Sequence, residues 1–151
     1  MTISAAACPS GDERVTLFAL LLDTNARLSR TLGVALEESC QLPLAWFDVL
    51  LQLRRSPEGI LTMSQIADAI VHSTGGTTRL VDRIEAADYI ERRTCPSDRR
   101  AVNVGITALG NAKLDEALSA HLSFLDVHVS NRLSDQERKQ LAALLEKLSV
   151  D

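Results

Sequence analysis

The sequence predicts a mainly α-helical chain with a small β-hairpin wing: a winged helix-turn-helix flanked by N- and C-terminal dimerisation helices. Three observations lead there. Two short helical segments with capping signals, one opening at Thr62 and the next at Ser73, follow one another closely, the helix-turn-helix layout. The second of them carries Arg79 and Arg83 on its polar side. A hairpin follows at once, its tip holding Asp98, Arg99 and Arg100. A helix sized for the major groove beside a ribbon with a cationic tip points to double-stranded DNA as the expected partner.

The elements can be justified in order. From about Glu13 to Leu36, Leu17, Leu21, Leu28 and Leu32 form one stripe, while Val15, Phe18 and Leu22 add a second apolar face. A helix apolar on two sides must bury both. Polar residues 37–41 are expected to break it, and Pro43 suits the first turn of a helix over about Leu42–Arg54, with Phe47, Leu50 and Leu53 facing the core. Ser56-Pro57-Glu58-Gly59 reads as a turn.

Thr62-Met63-Ser64-Gln65 is a capping box with Leu61 and Ile66 placed as its staple, opening a helix to about Val71. Ser73 is the expected N-cap of the next helix, with Leu80, Val81 and Ile84 inward and Thr77, Thr78, Arg79 and Arg83 outward. Hairpin strands are predicted at Tyr89–Thr94 and Ala101–Ile106, where Val102, Val104 and Ile106 alternate. Thr107 caps a long helix to about Arg132 with a near-heptad stripe of Leu114, Leu118, Leu122, Leu125 and Val129. Ser134-Asp135-Gln136-Glu137 is a second capping box, starting a helix with Leu141, Leu144, Leu145 and Leu148 apolar.

Composition bounds the reading. A chain of 151 residues fits one domain with a sizeable core, and aromatics at 3% imply a core of aliphatic side chains. The longest apolar run, Leu17–Leu22, is far shorter than the roughly 18 residues a membrane span needs. Residues 1–11 lack the basic start and apolar stretch of a secretory signal, so a cytoplasmic location is the default expectation. The net charge of −4 is unevenly spread: residues 79–100 balance at +1 and the remainder at −5. DNA affinity depends on the face that carries cations, so the overall charge does not exclude it.

Taken together, these residues resemble the MarR family (multiple-antibiotic-resistance type) of winged-helix regulators. The resemblance runs from Leu42 to Gly110: Trp46-Phe47-Asp48-Val49-Leu50, Ser64-Gln65-Ile66-Ala67 and Thr78-Arg79-Leu80-Val81-Asp82-Arg83-Ile84, then Tyr89-Ile90-Glu91-Arg92, Asp98-Arg99-Arg100 and Thr107-Ala108-Leu109-Gly110. It implies one domain over 1–151, with the winged helix-turn-helix at about 42–110 and dimerisation helices at about 13–36 and 107–149. It further implies a homodimer on a palindromic operator, regulating transcription as a repressor that responds to a small aromatic or amphipathic effector.

Residue by residue, Asp98 and Arg100 occupy the family's wing motif, in which the carboxylate orients a guanidinium into a minor groove, whose enhanced negative potential selects arginine. Ser73, Thr74, Gly75, Gly76, Thr77, Thr78, Arg79 and Arg83 fall on the recognition segment, and Arg99 beside the wing pair. Gly75 and Gly76 are expected in the first turn of the recognition helix, where bare backbone permits close approach. Asp88 stands where the family has glycine, and Asp tolerates a left-handed turn better than most residues. An effector cavity is implied where the first two helices meet the long one, with Trp46 and Leu50 as candidate lining. Core or interface packing is the equal alternative for Trp46.

Rival readings rest on fewer residues. Arg79 and Arg83 would, on an isolated helix, pair with Asp82 and Glu85. His121 and His128 lie seven apart on one helical face and His72 stands alone, short of the ligands a metal site needs, so no metal or cofactor is expected. Cys8 is placed near the N-terminus, as in peroxide-sensing members of the family, which leaves a cysteine-based redox sensor as the alternative; Cys95 in the wing is read as passive, and Cys40 is left open. Glycine-rich phosphate loops, GxSxG, HExxH and Cys-His signatures are missing, so an enzyme is not expected. A helical interaction protein that does not bind DNA leaves the cationic hairpin tip without a purpose.

Overall fold

The computed structural model describes residues 11–70, 76–94 and 102–149. Nine elements follow one another: α1 (Glu13–Cys40), α2 (Leu44–Arg55), β1 (Ile60–Thr62), α3 (Met63–Ala69), α4 (Thr77–Ala86), β2 (Ile90–Thr94), β3 (Val102–Ile106), α5 (Ala108–Leu125) and α6 (Asp135–Leu148). The fold is mostly helical with one small antiparallel sheet, as predicted.

α1 starts at Asp12, whose carboxylate accepts the Arg14 backbone N–H at 2.8 Å. It runs to Cys40, past the predicted break at residue 37. Glu37, Glu38 and Ser39 are ordinary helix-surface residues, and nothing in them forbids another turn. The stop comes at Gln41, left-handed at φ 53°, with its N–H returned to the Glu37 carbonyl. Pro43 is the N-cap of α2 and so precedes the first turn. A 3₁₀ turn over Pro57–Gly59 then leads into β1.

β1 was absent from the sequence reading. Three residues cannot show a period, and this strand exists through its partner: Ile60, Leu61 and Thr62 pair with Gly105, Val104 and Asn103 of β3. β3 is the central strand, in the order β1-β3-β2, and Ile90 to Thr94 of β2 pair with Ile106 to Val102. Val104 is buried, Ile106 half-buried and Val102 exposed, so the expected alternation fades away from the core.

The two capping boxes are present. Thr62 accepts the Gln65 N–H while the Gln65 side chain takes the Thr62 N–H, and Ser134 and Glu137 do the same for α6. The core gathers Leu36 and Cys40 of α1, Phe47, Val49, Leu50 and Leu53 of α2, Ile66 of α3, Val81 and Ile84 of α4, Ile90 and Val104 of the sheet, and Leu114 and Ala117 of α5. Burying this set offsets the ordering of α3 and α4, too short to be stable alone.

α5 departs from its heptad reading. Its buried positions are Gly110, Leu114, Ala117 and Phe124, while Leu122 is 60% exposed. The helix ends at Leu125 and passes into a π-helical turn over Asp126–Ser130. One wide turn shifts the phase of every later side chain, so no single stripe runs from Leu114 to Val129.

A large apolar surface is exposed among the described residues. Leu17, Phe18, Leu20 and Leu22 of α1 and Leu141, Leu144, Leu145 and Leu148 of α6 are all at least 43% exposed. Between these helices lies a cleft of about 480 Å³ walled by Leu17, Leu20, Leu21, Leu28, Leu141 and Leu145. Among the described residues no helix is long and apolar enough to cross a membrane.

Candidate nucleic-acid interface

α4 buries Val81 and Ile84, half-buries Leu80, and turns Thr78, Arg79, Asp82 and Arg83 outward, with Thr77 at the edge. Its N-cap is Gly76, and no side chain caps the helix among the described residues. Gly76 therefore precedes the first turn instead of lying in it; glycine costs about 1 kcal/mol inside a helix but only a few tenths at a cap. A Cβ at Gly76 would meet nothing within 4 Å. The first N–H groups of α4, which Gly76 leaves without a side-chain cap, stand at the positive end of the helix dipole, the arrangement that receives anions. Ser73, Thr74 and Gly75 lie outside the described residues, as do Asp98, Arg99 and Arg100, so the expected Ser73 cap and the wing tip are not placed.

The acidic residues of α4 are taken by the hairpin, not by the arginines of the helix. The Arg92 guanidinium of β2 donates to Asp82 at 2.6 Å and to Glu85, and the Arg92 backbone N–H donates to Glu85 at 2.9 Å. Hydrogen bonding to Asp82, and then to Glu85, raises the Arg92 pKa above its ordinary value. Among the described residues neither Arg79 nor Arg83 has an ion-pair partner. The rival pairing of these arginines with Asp82 and Glu85 is therefore not formed, and among the described residues both cations are left without an acidic partner. Arg93, by contrast, pairs with Glu91, and its guanidinium lies over Gly105.

Sequence reasoning missed Arg92. It is 7 and 10 residues from its partners, and only the turn between α4 and β2 brings it back. That turn is the predicted left-handed one: Asp88 has φ 61°. It is pinned to the start of α5. The Thr107 hydroxyl donates to the Asp88 carbonyl at 2.6 Å, the Thr107 N–H donates to the Tyr89 carbonyl at 3.0 Å, and Thr107 Oγ1 accepts the Gly110 N–H at 2.9 Å.

Comparison with known proteins places this geometry. Residues 41–101, from the end of α1 to the residue before β3, match the profile of the MarR family. An HTH-type transcriptional regulator of Bacillus cereus is 33% identical over 107 residues, 71% of this chain and 69% of that protein. The HTH-type transcriptional regulator PecS of Dickeya dadantii is 30% identical over 131 residues, 83% of this chain and 78% of its own. Sco3205, a MarR family transcriptional regulator of Streptomyces coelicolor crystallised in complex with DNA, shares the fold at a TM-score of 0.80, covering 91% of this chain and 86% of its own at 22% identity.

The chain belongs to the MarR family.

In this MarR-family chain, Leu50 is fully buried in the core. Trp46 is half-buried and meets the Tyr89 ring edge-on, centroids 6.1 Å apart. It lines neither the α1–α6 cleft nor a second cleft of about 520 Å³ between α1 and α5, walled by Thr31, Ala35, Ser119, Ser123, Phe124 and His128.

His121 and His128 enter an aromatic cluster. His121 lies against Phe47 with ring centroids 5.1 Å apart, and His128 stacks on Phe124 at 4.4 Å. No group of three metal-ligating side chains occurs among the described residues. Burial, reinforced by the Arg55 charge, pushes the His121 pKa below its ordinary 6.5. The unfolded chain thus holds that proton more tightly, so the stability His121 contributes is complete above about pH 6.5 and is lost as the pH falls below it. Melting temperature should therefore drop between pH 7.5 and 5.5 by less in His121→Phe than in the parent. Equal drops would remove His121 as the cause. Cys40 is buried, its Sγ–H donates to the Leu36 carbonyl at 3.1 Å, and burial raises its pKa, the opposite of a reactive thiolate. Cys8 and Cys95 lie outside the described residues.

Proposed function

We propose that this MarR-family regulator binds a palindromic DNA operator as a homodimer and represses transcription until a small aromatic or amphipathic molecule releases it. The observation that carries the reading is α4: a helix with a glycine N-cap and two arginines that have no ion-pair partner among the described residues, beside a hairpin. Sco3205, which shares the fold, was crystallised with DNA, which supports the partner. The exposed leucines of α1 and α6 support the dimer, since a soluble monomer rarely leaves so contiguous an apolar surface open. Two-fold symmetry would set the two α4 helices about 34 Å apart, one turn of duplex. Trp46 supports an effector through its contact with Tyr89, because Tyr89 lies in the turn joining α4 to β2 and a ligand beside Trp46 would press on that turn.

A mobility-shift titration with the DNA upstream of the protein's own gene, repeated over a range of salt, tests this reading. The parent should shift that DNA as a dimer, more weakly as salt rises. Arg79→Ala should bind more weakly and lower the salt slope by about one, as for a lost phosphate contact. Arg100→Ala should also weaken binding while leaving dimerisation and helix content unchanged. Binding as a monomer, or affinity indifferent to salt, would overturn it.

A further inference from the structure

We infer that Arg92 is a positioning residue for DNA binding: it covers Asp82 and Glu85 so that α4 offers DNA its cations without its carboxylates. The inference rests on the reading of this chain as a DNA-binding protein. Arg79, Asp82, Arg83 and Glu85 alternate in sign along one short helix, which alone would present no net charge. Arg92 reaches both acids from outside the helix, donating to Asp82 at 2.6 Å and to Glu85 through its side chain and, at 2.9 Å, its backbone N–H. With the acids neutralised, the outward face carries the two free arginines.

Removing Arg92 would act twice. Two bare carboxylates would face the phosphates, and like charges across an interface cost affinity. Asp82 would also be free to take Arg79, its i,i+3 neighbour on the helix, withdrawing a cation from the DNA. The pairs are too exposed to matter much for stability: the Arg92 side chain is 28% accessible and Asp82 56%. The network therefore has an electrostatic effect at the interface far larger than its effect on the fold.

Affinity for a fluorescein-labelled mixed-sequence duplex of about 30 base pairs, at roughly 50 mM salt, reads this effect because phosphate electrostatics dominate there. Arg92→Ala should bind on the order of tenfold more weakly than the parent, with a melting temperature within a few degrees of it. Arg92→Lys, which keeps the charge, should recover most of the loss. Asp82→Asn with Glu85→Gln should bind at least as tightly as the parent, and in that background Arg92→Ala should change affinity by less than about threefold. An equal loss in both backgrounds means that Arg92 itself contacts DNA and overturns the inference, as does weaker binding by the Asp82→Asn/Glu85→Gln variant. That variant also decides the matter if Arg92→Ala fails to fold. A parent that retains no duplex at low salt overturns the DNA-binding reading itself, a result distinct from a parent that binds without this coupling.

Discussion

Gly110→Ala is expected to destabilise the protein by about 3 kcal/mol or more, lowering the melting temperature by roughly 10 °C. A Cβ at Gly110 would stand 2.0 Å from the Tyr89 carbonyl oxygen, 2.8 Å from its carbon and 3.0 Å from the Ile106 side chain. The first two are backbone atoms, so rotating a side chain cannot relieve the clash. Tyr89 in turn is held by Thr107, and Thr107 caps the helix that contains Gly110. Relief must therefore come from lifting α5 off the turn between α4 and β2, which also moves the hairpin. Thermal unfolding followed by circular dichroism measures the first effect, and DNA affinity at a temperature where the variant is still folded measures the second. A variant that melts with the parent would show that α5 and the turn are not so close.

Leu144→Asp with Leu148→Asp is expected to convert the proposed dimer to monomer. These side chains are 57% and 67% exposed in the single chain and lie one helical turn apart. On a monomer, two such surface changes would be nearly neutral and would favour solubility. At an interface, each leucine lost removes about 1.5–3 kcal/mol of burial and adds a charge that must be desolvated. The dissociation constant should therefore rise by at least about a thousandfold. Sedimentation equilibrium across a concentration series gives the outcome. A dimer of unchanged strength would show that the apolar face of α6 is not its interface.

Local chemistry made much of this fold legible. The capping boxes at Thr62 and Ser134, the Thr107 cap, the hairpin and the left-handed Asp88 all depend on residues within a few positions of one another. What stayed hidden is non-local or phase-dependent. The recognition helix starts after Gly76, and a glycine there costs little at a helix end. The leucine periodicity of α5 continued smoothly in sequence, while the π-helical turn at Asp126–Ser130 rotated its last part away. β1 needed β3 to exist. For the candidate interface, residue types identified Thr77, Thr78, Arg79 and Arg83 as outward-facing or edge positions. That the two arginines would be unpaired depended on Arg92, whose role no spacing rule reveals.

β3 passes into α5 through a single residue, Thr107. Such a joint has no slack. A five-residue strand is about 17 Å long, so tilting α5 by about 5° about Thr107 would swing the far end of β3 by about 1.5 Å. Hydrogen bonds to a phosphate or base edge are lost over a displacement of that size. α5 is the longer arm of the lever so formed, at about 27 Å, so a repacking of α1 against α5 that shifts its far end by a little over 2 Å reaches the far end of β3 reduced by about a third, still enough to break such bonds.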